Sequence, residues 1–377
     1  MERSFFTALV VAMATTLGTA PVSADTAYIA SALSNDVTVI DTTTDTVVGV
    51  PIPVGVSAVG VAATLDGRKV YVTNQVSNTV SVIDTATNTV VATVPVGVGP
   101  LGVAVTPDGG KVYVANENQN NSSPSDTVSV IDTGTNTVVA TISVGTNPVG
   151  VAVTPDGSVV YVANLGSNTV SVIDAATNTV FRTIPVGLFP AGVAVTPDGS
   201  KVYVANEFSN DISVIDTQTN TVVTSVPIVP VGSFPFVGSK GVAVTPDGSK
   251  VYVTNSFSNT VSVIDTPTNT VISTIPFIPV TPPFVGLAGV AVTMDGSKVY
   301  AVGSSSNAVF VIDTQTNAAT NTITVSNFPV AFGNFMVPAR ANLGKDDCKN
   351  GGWRNFISPP GPFKNQGQCV SHFAKQH

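Results

Sequence analysis

Two carboxylates stand out as groups that could do chemistry, Glu117 and Glu207. They are the only glutamates after residue 24, and each directly follows the asparagine of a Tyr-Val-Ala-Asn stretch. Carboxylates can serve as general acids and bases, and together with carbonyl oxygens they bind Ca²⁺. One interpretation is a shared acidic site for a cation or for catalysis. The other is two separate, solvated surface carboxylates, and the sequence leaves both open.

Other catalytic groups are scarce. The chain has two histidines, His372 and His377, and two cysteines, all of them close to the C-terminus. Residues 25–338 therefore supply no Ser-His-Asp triad, no His-ligated haem, no copper centre and no usual zinc site. The same residues contain 8 Lys and Arg against 20 Asp and Glu. Because nucleic-acid binding needs a basic surface, it is only a minor alternative.

Phenylalanines in proline-rich segments form a second candidate site. Segments 227–238 and 276–286 are unusually apolar for loops, and further phenylalanines follow two copies of a recurring motif. An exposed aromatic and proline cluster is typical of a contact surface. Alternatively, the two segments fold over one another and close the mouth of a channel. The candidate contact residues are Phe208, Phe234, Phe236, Phe257, Phe277 and Phe284.

An internal repeat determines the elements that must position these residues. In the copy that begins at Gly192, the turn residues 197–199 and 216–220 separate runs rich in Val and Ile. This pattern predicts four short antiparallel strands, near 192–196, 202–204, 211–215 and 221–226. Repeats of this length are typical of solenoids and propellers. The motif Gly-Val-Ala-x-Thr begins, at steps of 42 to 49 residues, at Gly60, Gly102, Gly150, Gly192, Gly241 and Gly289.

The ends of the chain favour a closed ring over an open stack. The first copy starts with its second strand, at residues 27–30, and lacks the first strand. Near the C-terminus, Phe328-Pro329 aligns with the Phe189-Pro190 that precedes another first strand. The C-terminal stretch can therefore supply the missing strand and leave no exposed edge. The predicted fold is all-β, a seven-bladed β-propeller of four-stranded antiparallel blades.

Thirteen aspartates recur at two fixed positions, in the first turn and at the end of the third strand. A residue that every copy carries is most simply part of the scaffold. We therefore interpret these carboxylates as hydrogen-bond acceptors in turns and caps, not as metal ligands or catalytic bases. They are Asp41, Asp66, Asp84, Asp108, Asp132, Asp156, Asp174, Asp198, Asp216, Asp247, Asp265, Asp295 and Asp313.

The repeat resembles a known family. Residues 69–74 and 250–255 both read Lys-Val-Tyr-Val-Thr-Asn, the signature of the YVTN-repeat β-propellers, and other copies read Tyr-Val-Ala-Asn. The resemblance covers about residues 27–338 and implies the propeller fold. Members of this family are typically exported or cell-surface proteins, many without an assigned activity. The resemblance therefore implies a location and a shape, but no chemistry.

The N-terminus has the plan of a secretory signal peptide. Arg3 precedes an apolar stretch at residues 5–20, and Val22-Ser23-Ala24 is a small-residue cleavage signal before Asp25. The apolar stretch is short for a membrane anchor. We expect residues 1–24 to be removed, with no transmembrane segment left after cleavage. The propeller, 25–338, and a tail, 339–377, are then expected to be secreted, periplasmic or on the cell surface.

The tail differs from the propeller in charge. Residues 339–377 contain six Lys and Arg against two Asp, and they hold both cysteines, Cys348 and Cys369. In an exported protein such a pair is read first as a disulfide, which contributes about 3 kcal/mol to stability. The sequences around the cysteines resemble a short tail of assorted exported bacterial proteins. The tail is either an adhesive unit for an anionic surface or a clip that docks on the acidic propeller.

The favoured hypothesis is an exported, monomeric scaffold without catalysis. It binds a protein, glycan or cell-envelope partner through its loop face and needs no cofactor. The alternative is a metal-dependent hydrolase similar to the propeller lactonases, in which Glu117 and Glu207 hold Ca²⁺. The choice between the two depends on what surrounds the two glutamates and the phenylalanines.

Overall fold

The computed structural model describes residues 25–117, 126–228, 238–277 and 285–338. These residues form 29 β-strands in seven antiparallel sheets, and none of them lies in a helix long and apolar enough to cross a membrane. Each sheet is one blade. Blade 1 contains β1 (Thr26–Ser31), β2 (Asp36–Asp41), β3 (Thr46–Val47), β4 (Ile52–Pro53) and β29 (Met336–Val337).

In the other six blades the strands follow chain order from the central channel to the outer edge. The strands of blades 2 to 4 are β5 (Ala58–Ala63), β6 (Lys69–Asn74), β7 (Thr79–Asp84), β8 (Thr89–Pro95), β9 (Pro100–Val105), β10 (Lys111–Asn116), β11 (Thr127–Asp132), β12 (Thr137–Ser143), β13 (Pro148–Val153), β14 (Val159–Asn164), β15 (Thr169–Asp174) and β16 (Thr179–Pro185). Those of blades 5 to 7 are β17 (Pro190–Val195), β18 (Lys201–Asn206), β19 (Asp211–Asp216), β20 (Thr221–Pro227), β21 (Ser239–Val244), β22 (Lys250–Asn255), β23 (Thr260–Asp265), β24 (Thr270–Pro276), β25 (Leu287–Val292), β26 (Lys298–Gly303), β27 (Ala308–Asp313) and β28 (Ala318–Thr324).

The core lies between the blades. Val202, Tyr203 and Val204 of β18 are all fully buried, although consecutive side chains in a strand point to opposite faces. The repeated Lys and Tyr also join neighbouring blades through polar contacts. Lys201 Nζ donates to the carbonyl of Thr266 at 2.8 Å, and the Tyr203 hydroxyl donates to Asn269 Oδ1 at 2.7 Å. The recurring Lys-Val-Tyr motif is therefore scaffold, as its presence in most copies suggests.

The repeated aspartates also build the scaffold, which confirms their interpretation as turn acceptors. Asp198 Oδ1 accepts from the Thr196 hydroxyl at 2.5 Å and from the Ser200 amide at 3.0 Å. These hydrogen bonds, that of Thr196 first, lower the pKa of Asp198 to about 2. Asp216 accepts from the Thr219 amide at 2.8 Å. Equivalent bonds occur at the remaining eleven positions.

The C-terminal stretch closes the ring, as predicted. The amide of Val330 donates to the carbonyl of Ala30 at 2.9 Å, and the last strand, β29, pairs with β1. Strand β29 is therefore the inner strand of blade 1, and the first and last strands share one sheet. The seven-bladed propeller predicted from the repeat is the observed fold.

Inner strands approach one another closely around the channel, which explains their repeated glycine. A Cβ atom added to Gly192 would lie 2.1 Å from the carbonyl oxygen of Lys240 in the next blade. Blade 1 has Ala331 at the corresponding position. There the backbone adopts φ 48°, and Phe332 forms a parallel bridge with Gly60 of blade 2.

Candidate functional site

The two faces of the disc differ in their loops. The loop face consists of the connections between second and third strands and of those that lead into each inner strand. The turn face consists of the tight turns between first and second and between third and fourth strands. Four of the candidate residues lie on the loop face. Each is the first or second residue after the end of a second strand: Glu117, Glu207, Phe208 and Phe257.

Glu207 forms an ion pair with Lys240 of the next blade. Its Oε1 lies 3.3 Å from Lys240 Nζ, and the two side chains are 12% and 30% exposed. The amide of Glu207 donates to the carbonyl of Phe189 at 2.9 Å, which ties this loop to the loop that leads into blade 5. The carboxylate is therefore largely shielded and already has a cationic partner.

Lys240 was not predicted as a site residue. It precedes the inner-strand glycine of blade 6, a position that is apolar in the other blades. Comparison of the copies at this position would have identified it. In five other blades the residue at this position belongs to a packed apolar belt at the loop-face end of the channel. The belt consists of Val59, Leu101, Val149, Ala288 and Val330. Lys240 therefore places one positive charge in an otherwise apolar ring.

Three phenylalanine rings pack together beside this ion pair. The ring centroids of Phe189 and Phe208 are 4.9 Å apart, and those of Phe208 and Phe257 are 6.0 Å apart in an edge-on arrangement. Both are favourable geometries for aromatic pairs. Phe208 and Phe257 are half-buried, whereas Phe189 is 41% exposed and its neighbour Leu188 is 50% exposed. We call Leu188, Phe189, Phe208 and Phe257 the aromatic cluster.

Phe189 has an unusual backbone. Its φ of 55° lies in the left-handed region, which is costly for a bulky residue. The corresponding position is held by Ser57 in blade 2, Gly99 in blade 3 and Asn147 in blade 4, all with positive φ. Only blades 5 and 1 use phenylalanine there, and Phe328 of blade 1 is likewise 40% exposed. Strain retained together with exposure is a feature of functional positions.

The remaining candidate phenylalanines divide into two groups. Phe277 is only 6% exposed and packs 4.7 Å from Phe310, so its ring lies in the core between blades 6 and 7 and not on the surface. Phe234, Phe236 and Phe284 lie outside the described residues, as do Cys348 and Cys369. Phe208 and Phe257 are thus the predicted contact residues that the structure brings together.

Glu117 occupies the position in blade 3 that Glu207 occupies in blade 5. It is 8% exposed, and its amide donates to the carbonyl of Gly99 at 2.9 Å. Blade 4 lies between the two and has Leu165 at this position, packed against the apolar belt. The two glutamates share a face but are separated by a blade with an apolar residue. In the described ranges, no group of three or more His, Cys, Asp or Glu side chains could hold a metal ion.

Known proteins share this architecture. The hydrazine synthase of Kuenenia stuttgartiensis is 24% identical, with a TM-score of 0.64 and coverage of 74% of this chain and 90% of that chain. A functionally unknown protein from Desulfotomaculum acetoxidans is 20% identical, with a TM-score of 0.68 and coverage of 82% and 100%. At these identities the likeness shows the fold alone. No curated protein sequence matches the chain.

A family model extends over more than half of the chain. Described as a YNCE-like beta-propeller, it matches residues 24–154, 119–201 and 151–229. These matches run from the first blade into the end of the fifth, and the aromatic cluster is built from blade 5 and its neighbour. The chain belongs to the YNCE-like β-propeller family.

Proposed function

We propose that this protein is an exported scaffold that binds a protein partner through the loop face of blades 5 and 6 and catalyses no reaction. The observation that carries the proposal is Phe189, a bulky residue held at positive φ with its ring 41% exposed. Neither feature helps the blade, since serine, glycine and asparagine serve at the same position elsewhere. A binding role accounts for both.

The surroundings of Phe189 fit a protein interface. Binding energy in such interfaces concentrates in a few aromatic and charged residues near the centre, surrounded by contacts that exclude water. The aromatic cluster supplies the apolar centre, and the Glu207–Lys240 pair supplies a charged group beside it. A protein suits this surface better than a glycan, because rings inclined at 54° and 67° do not form one flat platform for a sugar.

Export is proposed from the sequence. It rests on the basic, apolar and small-residue pattern of residues 1–24 and on the resemblance to the YVTN-repeat propellers. The partner is accordingly a secreted, periplasmic or cell-surface protein. Only 10% of all residues are charged, which suits a surface that is polar through Asn, Ser and Thr.

The contacts around the glutamates do not favour the alternative, a Ca²⁺-dependent hydrolase. Glu207 is engaged by Lys240, whose ammonium group would repel a cation at that carboxylate. Glu117 is separated from Glu207 by blade 4 and Leu165. General acid–base catalysis needs its groups within hydrogen-bond reach of one substrate, and a blade lies between these two carboxylates.

The test compares two exposed phenylalanines. Phe189→Ser removes the central ring and places at this position the residue that blade 2 has. Phe181→Ser is the matched control, because Phe181 is 52% exposed on the outer strand β16, away from the loop face. Wild type and both variants would be immobilised and exposed to a cell-envelope extract, with captured proteins quantified by mass spectrometry and their Kd values measured.

We expect one protein to bind wild type and Phe181→Ser equally. Its Kd should rise by about thirtyfold with Phe189→Ser, the size of a hot-spot loss. Lys240→Ala should weaken binding less, since a pair at the edge of an interface contributes little. If every captured protein binds all three equally well, the aromatic cluster is not the binding site. Thermal unfolding of each variant shows that the blades are intact.

A further inference from the structure

The turn-face end of the central channel contains a cavity of about 320 Å³. Its walls are the inner strands of blades 2 to 7 together with residues 332–334. Apart from Leu65 and Phe332, the side chains that line it are small and apolar, and Asn334 supplies the only polar side-chain group of the lining. One alanine of each of these blades recurs around it: Ala62, Ala104, Ala152, Ala194, Ala243 and Ala291. The cavity can therefore accept an apolar group that enters from the turn face.

The turn face, on which this cavity opens, combines negative charge with an exposed apolar side chain at the cavity. The turn face carries the thirteen repeated aspartates with Asp25 and Asp45, against Arg68 and five lysines at the starts of second strands. Leu65 lines the cavity and is 58% exposed, at a position where blade 3 has Pro107 and blade 5 has Pro197. A ligand that suits this surface has an apolar group flanked by cations.

The chain itself supplies such a segment at this place. Val337 of β29 pairs with Thr26, the first residue of β1, so the chain leaves the propeller on the turn face, beside the channel. Residues 339–377 follow, with six Lys and Arg against two Asp. The 15 residues from 339 to 353 can span up to about 50 Å when extended, which is ample for Trp353 to reach the cavity. Within them, Trp353 has Lys349 and Arg354 close by in sequence.

We propose that the tail, residues 339–377, docks on the turn face of its own propeller and places Trp353 against Leu65 and the cavity mouth. Opposite charge attracts the tail, and burial of the indole ring stabilises the contact. The tether favours the chain's own tail over that of a second copy, because it raises the effective concentration to the millimolar range. This proposal concerns the opposite face from the aromatic cluster and does not depend on the proposed function.

Trp353 is the only tryptophan in the chain, so its fluorescence reports on the tail alone. The experiment uses the full-length mature protein as wild type, as Leu65→Lys and as Leu33→Lys. Leu33 is the matched control, 65% exposed on the loop face. Emission maxima and acrylamide quenching are measured at low salt and at about 1 M NaCl, where charge interactions are screened within about 3 Å.

We expect a shielded Trp353 in wild type and in Leu33→Lys. In Leu65→Lys, the emission should shift to the red and quenching should rise severalfold. High salt should have the same effect on wild type. Identical spectra for all three proteins would overturn the proposal, because a tail that shields its indole by its own folding would not respond to Leu65. An emission that depends on protein concentration would assign the contact to a second copy and would also overturn it.

Discussion

Lys298 and Asp45 meet across the joint that closes the ring. Lys298 Nζ lies 2.9 Å from Asp45 Oδ1, although 253 residues separate them in the chain. The hydroxyl of Tyr300 donates to the same carboxylate. At the corresponding turn position the other blades have asparagines: Asn88, Asn136, Asn178, Asn220, Asn269 and Asn317. At this turn position the joint between blades 7 and 1 thus has an ion pair, whereas the other joints have a neutral asparagine.

Removing Asp45 should therefore cost more stability than removing its counterpart in blade 2. Asp45→Ala deletes an ion pair and the acceptor for Tyr300, whereas Asn88→Ala deletes only the acceptor for Tyr28. Both positions have positive φ, so the backbone cost of alanine is shared. Because the ion pair is partly exposed, we expect a difference of about 1 kcal/mol or less, measured by urea unfolding. Equal losses would show that the ion pair adds nothing to closure.

The tyrosines between blades should make the protein sensitive to alkali. Burial, and secondly the nearby aspartates, raise the pKa of Tyr113, Tyr161, Tyr203 and Tyr252 from 10 to about 12. The unfolded chain therefore releases these protons at lower pH than the folded one. The stability they contribute is fully present below pH 10 and is lost between about pH 10 and 12.

Two measurements test this alkaline window. Urea midpoints should be constant from pH 8 to about pH 9.5 and fall steeply above it. The phenolate absorbance of the folded protein should rise only near pH 12, whereas in urea it should rise near pH 10. Phenolate formation near pH 10 in the folded protein would contradict the burial of these hydroxyls.

The inner-strand glycines should be intolerant of a methyl group. Gly192→Ala would place Cβ 2.1 Å from the carbonyl oxygen of Lys240, so blades 5 and 6 must separate. We expect a loss of about 1–3 kcal/mol, which is typical of overpacking. Gly134→Ala is the control, since the nearest atom to its Cβ is a side-chain oxygen at 3.4 Å. If the unfolding temperature falls equally for both variants, the close approach of the two backbones is not the cause of the lost stability.

The fold was predictable because the chain repeats one pattern. Turn residues such as Pro197 and Gly199 separated the strands, and the match between Phe328-Pro329 and Phe189-Pro190 identified the closing strand. The irregularity at Ala331 was not predictable. Its positive φ accompanies the backbone bridge from Phe332 to Gly60 of blade 2, and such contacts between blades are not encoded in the local pattern.

The candidate site was predictable only in part. Phe208 and Phe257 were found because they depart from the repeat, and the same comparison would have found Lys240. Exposure was harder to infer. Phe277 directly follows β24 at the position that Val186 holds in blade 4, and its ring is buried against Phe310, whereas Phe189 lies at the positive-φ position of its loop and is exposed. How far each ring is exposed depends on the packing of adjacent blades.

Calcium should leave the stability of the protein unchanged. The ammonium group of Lys240 already neutralises Glu207, so that carboxylate has little to offer a cation. Chelator-treated protein should therefore unfold at the same temperature with and without Ca²⁺. A specific site at about 100 times its Kd would instead add about 2.7 kcal/mol. Such a gain, if lost in Glu117→Gln or Glu207→Gln, would favour the hydrolase alternative.

The pairing of β1 with β29 also determines how the disc responds to mechanical force. Thr26 and Val337 are antiparallel partners at the edge of the turn face, so the described propeller begins and ends at neighbouring points. A force that pulls these two points apart would break the hydrogen bonds between β1 and β29 one after another. This pairing would yield first, while blades 2 to 7 bear little load. A disc pulled at both ends would open into an arc while blades 2 to 7 stay intact.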